Sequence, residues 1–109
     1  MRQVFLSGQM VPECDAKISI FDSGFKLGDT VTESTRTFRH RPFKLEQHIG
    51  RLYRSLKVTR IDPGYSPEEL SRISLEVLEA NLPLIGDQDD YWIVHNISRG
   101  LAVSGADPT

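Results

Sequence analysis

Residues 30–58 read TVTESTRTFRHRPFKLEQHIGRLYRSLKV, and their periodicity changes half-way along. Thr30 to Arg39 is β-branched at four of its first six positions, which favours a strand over a helix. From Leu45 the apolar residues Leu45, Ile49, Leu52 and Leu56 are spaced four, three and four apart. That spacing is one face of an amphipathic helix, running to about Val58. Between the two, His40-Arg41-Pro42 reads as a hairpin tip, with Pro42-Phe43-Lys44 returning.

The pattern extends outward on both sides. Val4-Phe5-Leu6 is a short strand, Ser7-Gly8-Gln9 a turn, and Met10-Val11-Pro12 begins a return strand. Ala16 to Ile20 is a further extended piece, and Ser23-Gly24 with Gly28-Asp29 brackets a compact turn. Ile61 to Gly64 is a linker. Ser66-Pro67-Glu68-Glu69 then predicts a helix start: Ser66 can cap, Pro67 suits the first helical position and Glu69 completes a capping box. Leu70, Ile73, Val77 and Leu78 form its apolar face, and Pro83 ends it near Asn81. Tyr91 to Ser98 is a last strand, and Leu101 to Thr109 has no periodicity. Strands followed by helices predict an α+β fold, a small antiparallel sheet with two helices packed on one face. The opposite face of such a sheet is polar, or free for a partner.

The chain has 109 residues and a net charge of −2, enough for one small domain, residues 1–109, with both signs interspersed. No basic stripe favours nucleic acid. Cys14 is the single cysteine, which excludes an internal disulfide and a multi-cysteine zinc site and suits a reducing, cytoplasmic setting. The N-terminus has no secretory core, and no run approaches the roughly 20 apolar residues that span a membrane. Asp89-Asp90 reads as a solvated loop rather than a metal site, and His40 as exposed.

The strand from Thr30 is unusually polar. Alternation puts Thr30, Thr32, Ser34, Arg36 and Phe38 on one face and Val31, Glu33, Thr35 and Thr37 on the other. Either this is an edge strand with a wet face, or its polar face lines an anion pocket where Arg36 meets a carboxylate bidentately. His48, Arg51 and Ser55 share one side of the first helix. On pattern alone Arg51 is either a solvated arginine or a grip for phosphate or carboxylate. Arg99, before Gly100 at a strand end, is either a turn arginine or an anion ligand. No general acid–base set closes, and no phosphate-cradling glycine loop is present.

Taken together, these stretches resemble the N-terminal small domain of fold-type IV pyridoxal-phosphate enzymes. That family includes branched-chain and D-amino-acid aminotransferases and aminodeoxychorismate lyase. The resemblance runs from Gly8 and Ala16-Lys17-Ile18-Ser19-Ile20-Phe21-Asp22 through Gly24-Phe25, Gly28-Asp29 and Glu33. It is strongest at Pro42-Phe43-Lys44-Leu45-Glu46-Gln47-His48-Ile49-Gly50-Arg51-Leu52 and closes at Ser98-Arg99-Gly100. It implies that Arg51 binds the phosphate of pyridoxal 5′-phosphate and that Thr32, Ser34 and Arg36 face the substrate pocket. It further implies that Arg99 matches an arginine which binds the substrate carboxylate in some D-amino-acid-type members. Aromatic residues common in the family at the positions of Thr32 and Leu27 are missing, which points to a more polar substrate or to a pocket completed by another subunit.

The family's Schiff-base lysine lies in a second, larger domain, and Lys17, Lys26, Lys44 and Lys57 match none of its context. The resemblance therefore implies the N-terminal domain of a class IV aminotransferase, homodimeric when intact, that moves an amino group between an amino acid or amine and a 2-oxo acid. By itself the chain is expected to be inactive: a truncated chain, a proteolytic remnant or the product of a split gene. The alternatives are a same-fold aminodeoxychorismate lyase, or a non-catalytic small domain binding a partner or anion.

Overall fold

A computed structural model describes residues 1–101. Ten elements follow one another. An N-terminal hairpin pairs β1 (Gln3–Leu6) with β2 (Gln9–Pro12), turning through Ser7 and Gly8, both at positive φ. A 3-10 turn, Glu13–Asp15, leads to helix α1 (Ser23–Leu27) and strand β3 (Thr30–Phe38). Strand β4 (Arg41–Pro42), helix α2 (Leu45–Thr59), helix α3 (Pro67–Asn81), a 3-10 turn at Leu82–Leu84 and strand β5 (Trp92–Ser98) complete it.

The expected α+β architecture is what forms: an antiparallel sheet in the order β4-β3-β5, with helices on one face. β3 lies between β4 and β5, yet among the described residues its polar stretch keeps the free edge that the edge-strand reading expects. β4 pairs with β3 only at Thr37 and Phe38. The rest of that flank of β3 has no neighbouring strand among the described residues.

Two local expectations also change. Ser23–Leu27 is a short helix rather than a turn, because the Asp22 carboxylate accepts from the amides of Gly24 (2.8 Å) and Phe25 (3.4 Å). Gly28 ends it at φ 69°, a left-handed conformation that glycine adopts without steric cost. Gly24 has a packing reason of its own: a Cβ there would stand 2.8 Å from Cβ of Ser98. Ala16 to Ile20 is irregular, and among the described residues no strand lies alongside to pair with it.

The helices match their periodicity. Leu45, Ile49, Leu52 and Leu56 of α2 are all buried, and with Ile61 and Leu70 they form the core against Val31, Tyr53 and Ile97. Ser66 caps α3 through the expected reciprocal box, its Oγ accepting from Glu69 N (3.1 Å) while Glu69 Oε1 accepts from Ser66 N (3.2 Å). At the other end of α3, Asn81 clamps the hairpin. Its Oδ1 accepts from Gln3 N (2.8 Å), and its Nδ2 donates to Gln3 O (2.9 Å) and Val77 O (2.7 Å). Among the described residues, no helix is long and apolar enough to cross a membrane.

Candidate functional site

β3 alternates as its sequence requires, but the polar residues are divided in an informative way. Glu33, Thr35 and Thr37 are buried beneath the helices, whereas Thr30, Thr32, Arg36 and Phe38 are exposed and Ser34 half-exposed on the open face. A carboxylate facing inward needs partners, since an isolated buried charge is strongly disfavoured. α2 supplies them from positions three apart, which lie on one side of a helix. Arg51 Nε and Nη2 donate to Glu33 Oε2 and Oε1 at 2.8 and 2.6 Å, and His48 Nδ1 lies 2.9 Å from Oε1. The Arg51 guanidinium holds the Glu33 carboxyl down at about 2, with His48 assisting and burial opposing. Glu33 is therefore an anion throughout the physiological range.

Arg51 spends only its Nε/Nη2 edge on Glu33. The two hydrogens of Nη1 and the second of Nη2 remain, on a side chain that is 64% exposed. Beside it α2 lines a shallow depression with Arg54, Ser55, Val58 and Thr59. The neighbouring flank of β3 is open as well. Thr37 N donates to Tyr91 O and Arg99 N to Asp29 O, so the odd-numbered residues of β3 exchange amide bonds with β5. By the alternation of an antiparallel ladder, the amide groups of Thr32 and Ser34 then point to the unpaired side. Ser34 N–H meets Glu33 Oε1 at 3.4 Å.

Behind Glu33 the polar contacts continue. His95 stands directly across from it on β5, 8% exposed, with Nε2 2.8 Å from Ser74 Oγ. Ser74 donates its own hydrogen to Leu70 O at 2.7 Å, so His95 Nε2 carries the proton in that bond. His95 Nδ1 is left as a buried lone pair without a partner. Burial pushes the imidazole below its ordinary value, outweighing the opposite pull of Glu33.

The open face presents the other candidates. Thr32 Oγ1 donates to Asn96 Oδ1 (2.9 Å), its partner across the strands. Arg36 lies over the Phe38 ring at 4.6 Å, opposite Trp92, and Phe38 meets Phe43 edge-on. Thr32, Ser34 and Arg36 thus share one surface, while Arg51 approaches the same strand along its unpaired flank. Arg99 lies elsewhere. Its Nε and Nη2 reach Asp29 at 2.7 and 3.3 Å, and Nη2 and Nη1 donate to the carbonyls of Thr59 (2.8 Å) and Arg60 (3.1 Å), tying the end of α2 to the start of β3.

Asp90 is no free loop residue, correcting the sequence expectation. It accepts from Thr37 Oγ1 (2.6 Å) and His40 N (2.9 Å), while His40 Nε2 lies 3.1 Å from Gly86 O, half-burying a ring expected to be exposed. Sequence reasoning assigned no role to Glu33, His95 or Ser74. A signal for Glu33 was available: a carboxylate on the inward face of a strand, beside a helix offering His48 and Arg51 three residues apart.

The family described as amino-transferase class IV matches residues 30–105. The chain is 38% identical over 106 residues to a protein of Methanocaldococcus jannaschii named as a branched-chain-amino-acid aminotransferase, covering 97% of this chain and 35% of that protein. It is 33% identical over 81 residues to a D-alanine aminotransferase of Staphylococcus haemolyticus, covering 74% of this chain and 29% of that one. The branched-chain amino acid aminotransferase of Escherichia coli superposes with a TM-score of 0.83 at 25% identity, over 99% of this chain and 36% of the other. The chain spans about a third of the length of the curated relatives it matches.

Proposed function

The chain belongs to the amino-transferase class IV family, and from that premise we propose that it is the N-terminal domain of a pyridoxal-phosphate-dependent aminotransferase. In this reading Arg51 holds the cofactor phosphate, and Thr32, Ser34 and Arg36 form the surface that selects the substrate. One observation carries it: Arg51 is anchored by one edge on a buried carboxylate and keeps its remaining donors exposed beside an unpaired strand flank. A planar guanidinium with free, fixed donors suits a dianionic phosphate.

When bound, pyridoxal phosphate supplies the electron sink through which an amino group passes between an amino acid or amine and a 2-oxo acid. The residues of this chain bind and orient. Arg51 fixes the phosphate end, and the Ser34 hydroxyl with the Arg36 guanidinium offers donors to a substrate carboxylate, while Thr32, its hydrogen engaged by Asn96, lines the same surface. Arg99 belongs to the same proposal in a narrower form: with most of its donors engaged by Asp29, Thr59 and Arg60, it shapes the strand entrance and offers one remaining Nη1 hydrogen. The lysine that anchors the cofactor is proposed to lie in the remaining two thirds of the protein, leaving residues 1–109 inactive by themselves. A homodimer in the cytoplasm completes the reading.

The test uses the full-length protein with pyridoxal phosphate. Amino transfer from an amino acid to a 2-oxo acid, together with cofactor absorbance that needs a higher cofactor concentration to appear in Arg51→Ala, is the expected result. A full-length protein that binds no cofactor, or that releases pyruvate without needing an amino acceptor, would overturn it.

A further inference from the structure

We propose that Glu33 is a positioning residue for the phosphate site: by engaging the Nε/Nη2 edge of Arg51, it aims the free Nη1/Nη2 edge outward along the open flank of β3. This deepens the proposed function and rests on Arg51 being the phosphate ligand.

Three features of the structure converge on it. Glu33 is 4% exposed and lies on the central strand, where its amide groups pair with β5, so its carboxylate is a fixed point. Arg51 is long and 64% exposed, so without that carboxylate its guanidinium would sample many rotamers, and a ligand would have to order it. His48 holds Oε1 from the preceding turn of α2, and Ser34 N–H approaches the same oxygen, so the carboxylate itself does not swing. Glu33 thereby ties the phosphate ligand on α2 to the strand whose alternate residues, Thr32 and Ser34, display the proposed substrate surface. One side chain sets the distance between the two.

Removing Glu33 also removes a negative charge near the anion, which by itself favours phosphate binding. The experiment separates charge from position by comparing two uncharged replacements. Glu33→Gln keeps an acceptor for Arg51, whereas Glu33→Leu keeps none. Both are made in the full-length protein, alone and combined with Arg51→Ala, and titrated with pyridoxal 5′-phosphate by absorbance. The expected result is affinity about tenfold weaker for Glu33→Leu than for Glu33→Gln, the scale of one lost hydrogen bond to a charged group. That difference disappears in the Arg51→Ala background.

Equal affinities for the two replacements overturn the positioning role. In that case a cofactor loss in Arg51→Ala alone would leave the phosphate reading standing. A difference that persists without Arg51 makes Glu33 a general structural residue and likewise overturns the proposal. Unchanged cofactor binding in Arg51→Ala removes both readings together. Where Glu33→Leu does not fold, the Arg51 Nε–H resonance of the wild-type protein decides, assigned by its loss in Arg51→Lys. A signal protected from exchange before cofactor is added supports the proposal, and a freely exchanging one overturns it.

Discussion

Glu33 and His95 face each other across β3 and β5 on the face covered by the helices, and one is held charged while the other is held neutral. Their environments explain the difference. Glu33 has two donors from α2, whereas His95 has only the Ser74 hydroxyl and is shut away from water.

Stability is predicted to fall with acid in two stages. The unfolded chain takes up a proton near pH 6.5 on His95, which the folded chain resists, so stability begins to drop below about that pH. The Glu33 contribution is intact above its unfolded value near 4.5 and is lost as pH falls toward 2. With the screening of its exposed partner Arg51 allowed for, this second loss is about 2 kcal/mol. Urea midpoints measured from pH 8 to pH 3 check both stages. His95→Gln should flatten the first and leave the second, and a wild-type midpoint constant between pH 8 and 5 would contradict the assignment to His95.

Arg51→Ala in the full-length protein is predicted to weaken pyridoxal phosphate binding by about 10- to 100-fold, the scale of losing hydrogen bonds to a charged group. It also unpairs Glu33, so some loss of stability accompanies it. Equilibrium dialysis of the cofactor, with circular dichroism confirming the fold, makes the measurement. Cofactor content matching the wild type would remove Arg51 from the phosphate site.

Arg36→Ala is predicted to raise KM for carboxylate-bearing substrates about tenfold, while kcat changes little. The side chain offers binding on the open face and reaches no reacting group in this chain. Its Arg36→Lys counterpart should recover only part of the loss, since an ammonium cannot make a bidentate contact. Steady-state kinetics that leave KM unmoved would reduce Arg36 to a surface residue stacked on Phe38.

Asn81→Leu is predicted to release the N-terminal hairpin. The carbonyl oxygen of the Asn81 side-chain amide accepts from Gln3 N and its NH2 donates to Gln3 O, so the change leaves Gln3 N and O without partners and costs about 2 kcal/mol. Hydrogen exchange read by mass spectrometry should show faster exchange over Gln3–Pro12 with α2 unaffected. Uniform protection across both would show that the hairpin is held by its apolar contacts alone.

The amide side chain of Asn81 also illustrates where local reading stops. As a residue just before Pro83 it marks a helix end, and α3 does end there. Nothing nearby in the chain announces that its partner is Gln3, seventy-eight residues away. Asp90 is similar: as one of two adjacent aspartates it resembles a loop charge, and only the arrival of Thr37 and His40 makes it an acceptor.

What the amino-acid order determined by itself was most of what short-range physics carries, the Asp22-capped helix Ser23–Leu27, which reads as a turn, being the exception. The four-three-four leucine and isoleucine spacing produced α2, Ser66-Pro67 and Glu69 produced the start of α3, and β-branching produced β3. What tertiary structure alone decided was which face of β3 turns inward and what meets it there. Alternation offers two faces with equal periodicity, one of hydroxyls with an arginine and one with a carboxylate. The choice fell on the carboxylate face because α2 brings His48 and Arg51 over it, compensating a charge that water would otherwise have to hold. That compensation depends on the docking of a helix onto a sheet, a relation between distant segments that no local pattern encodes.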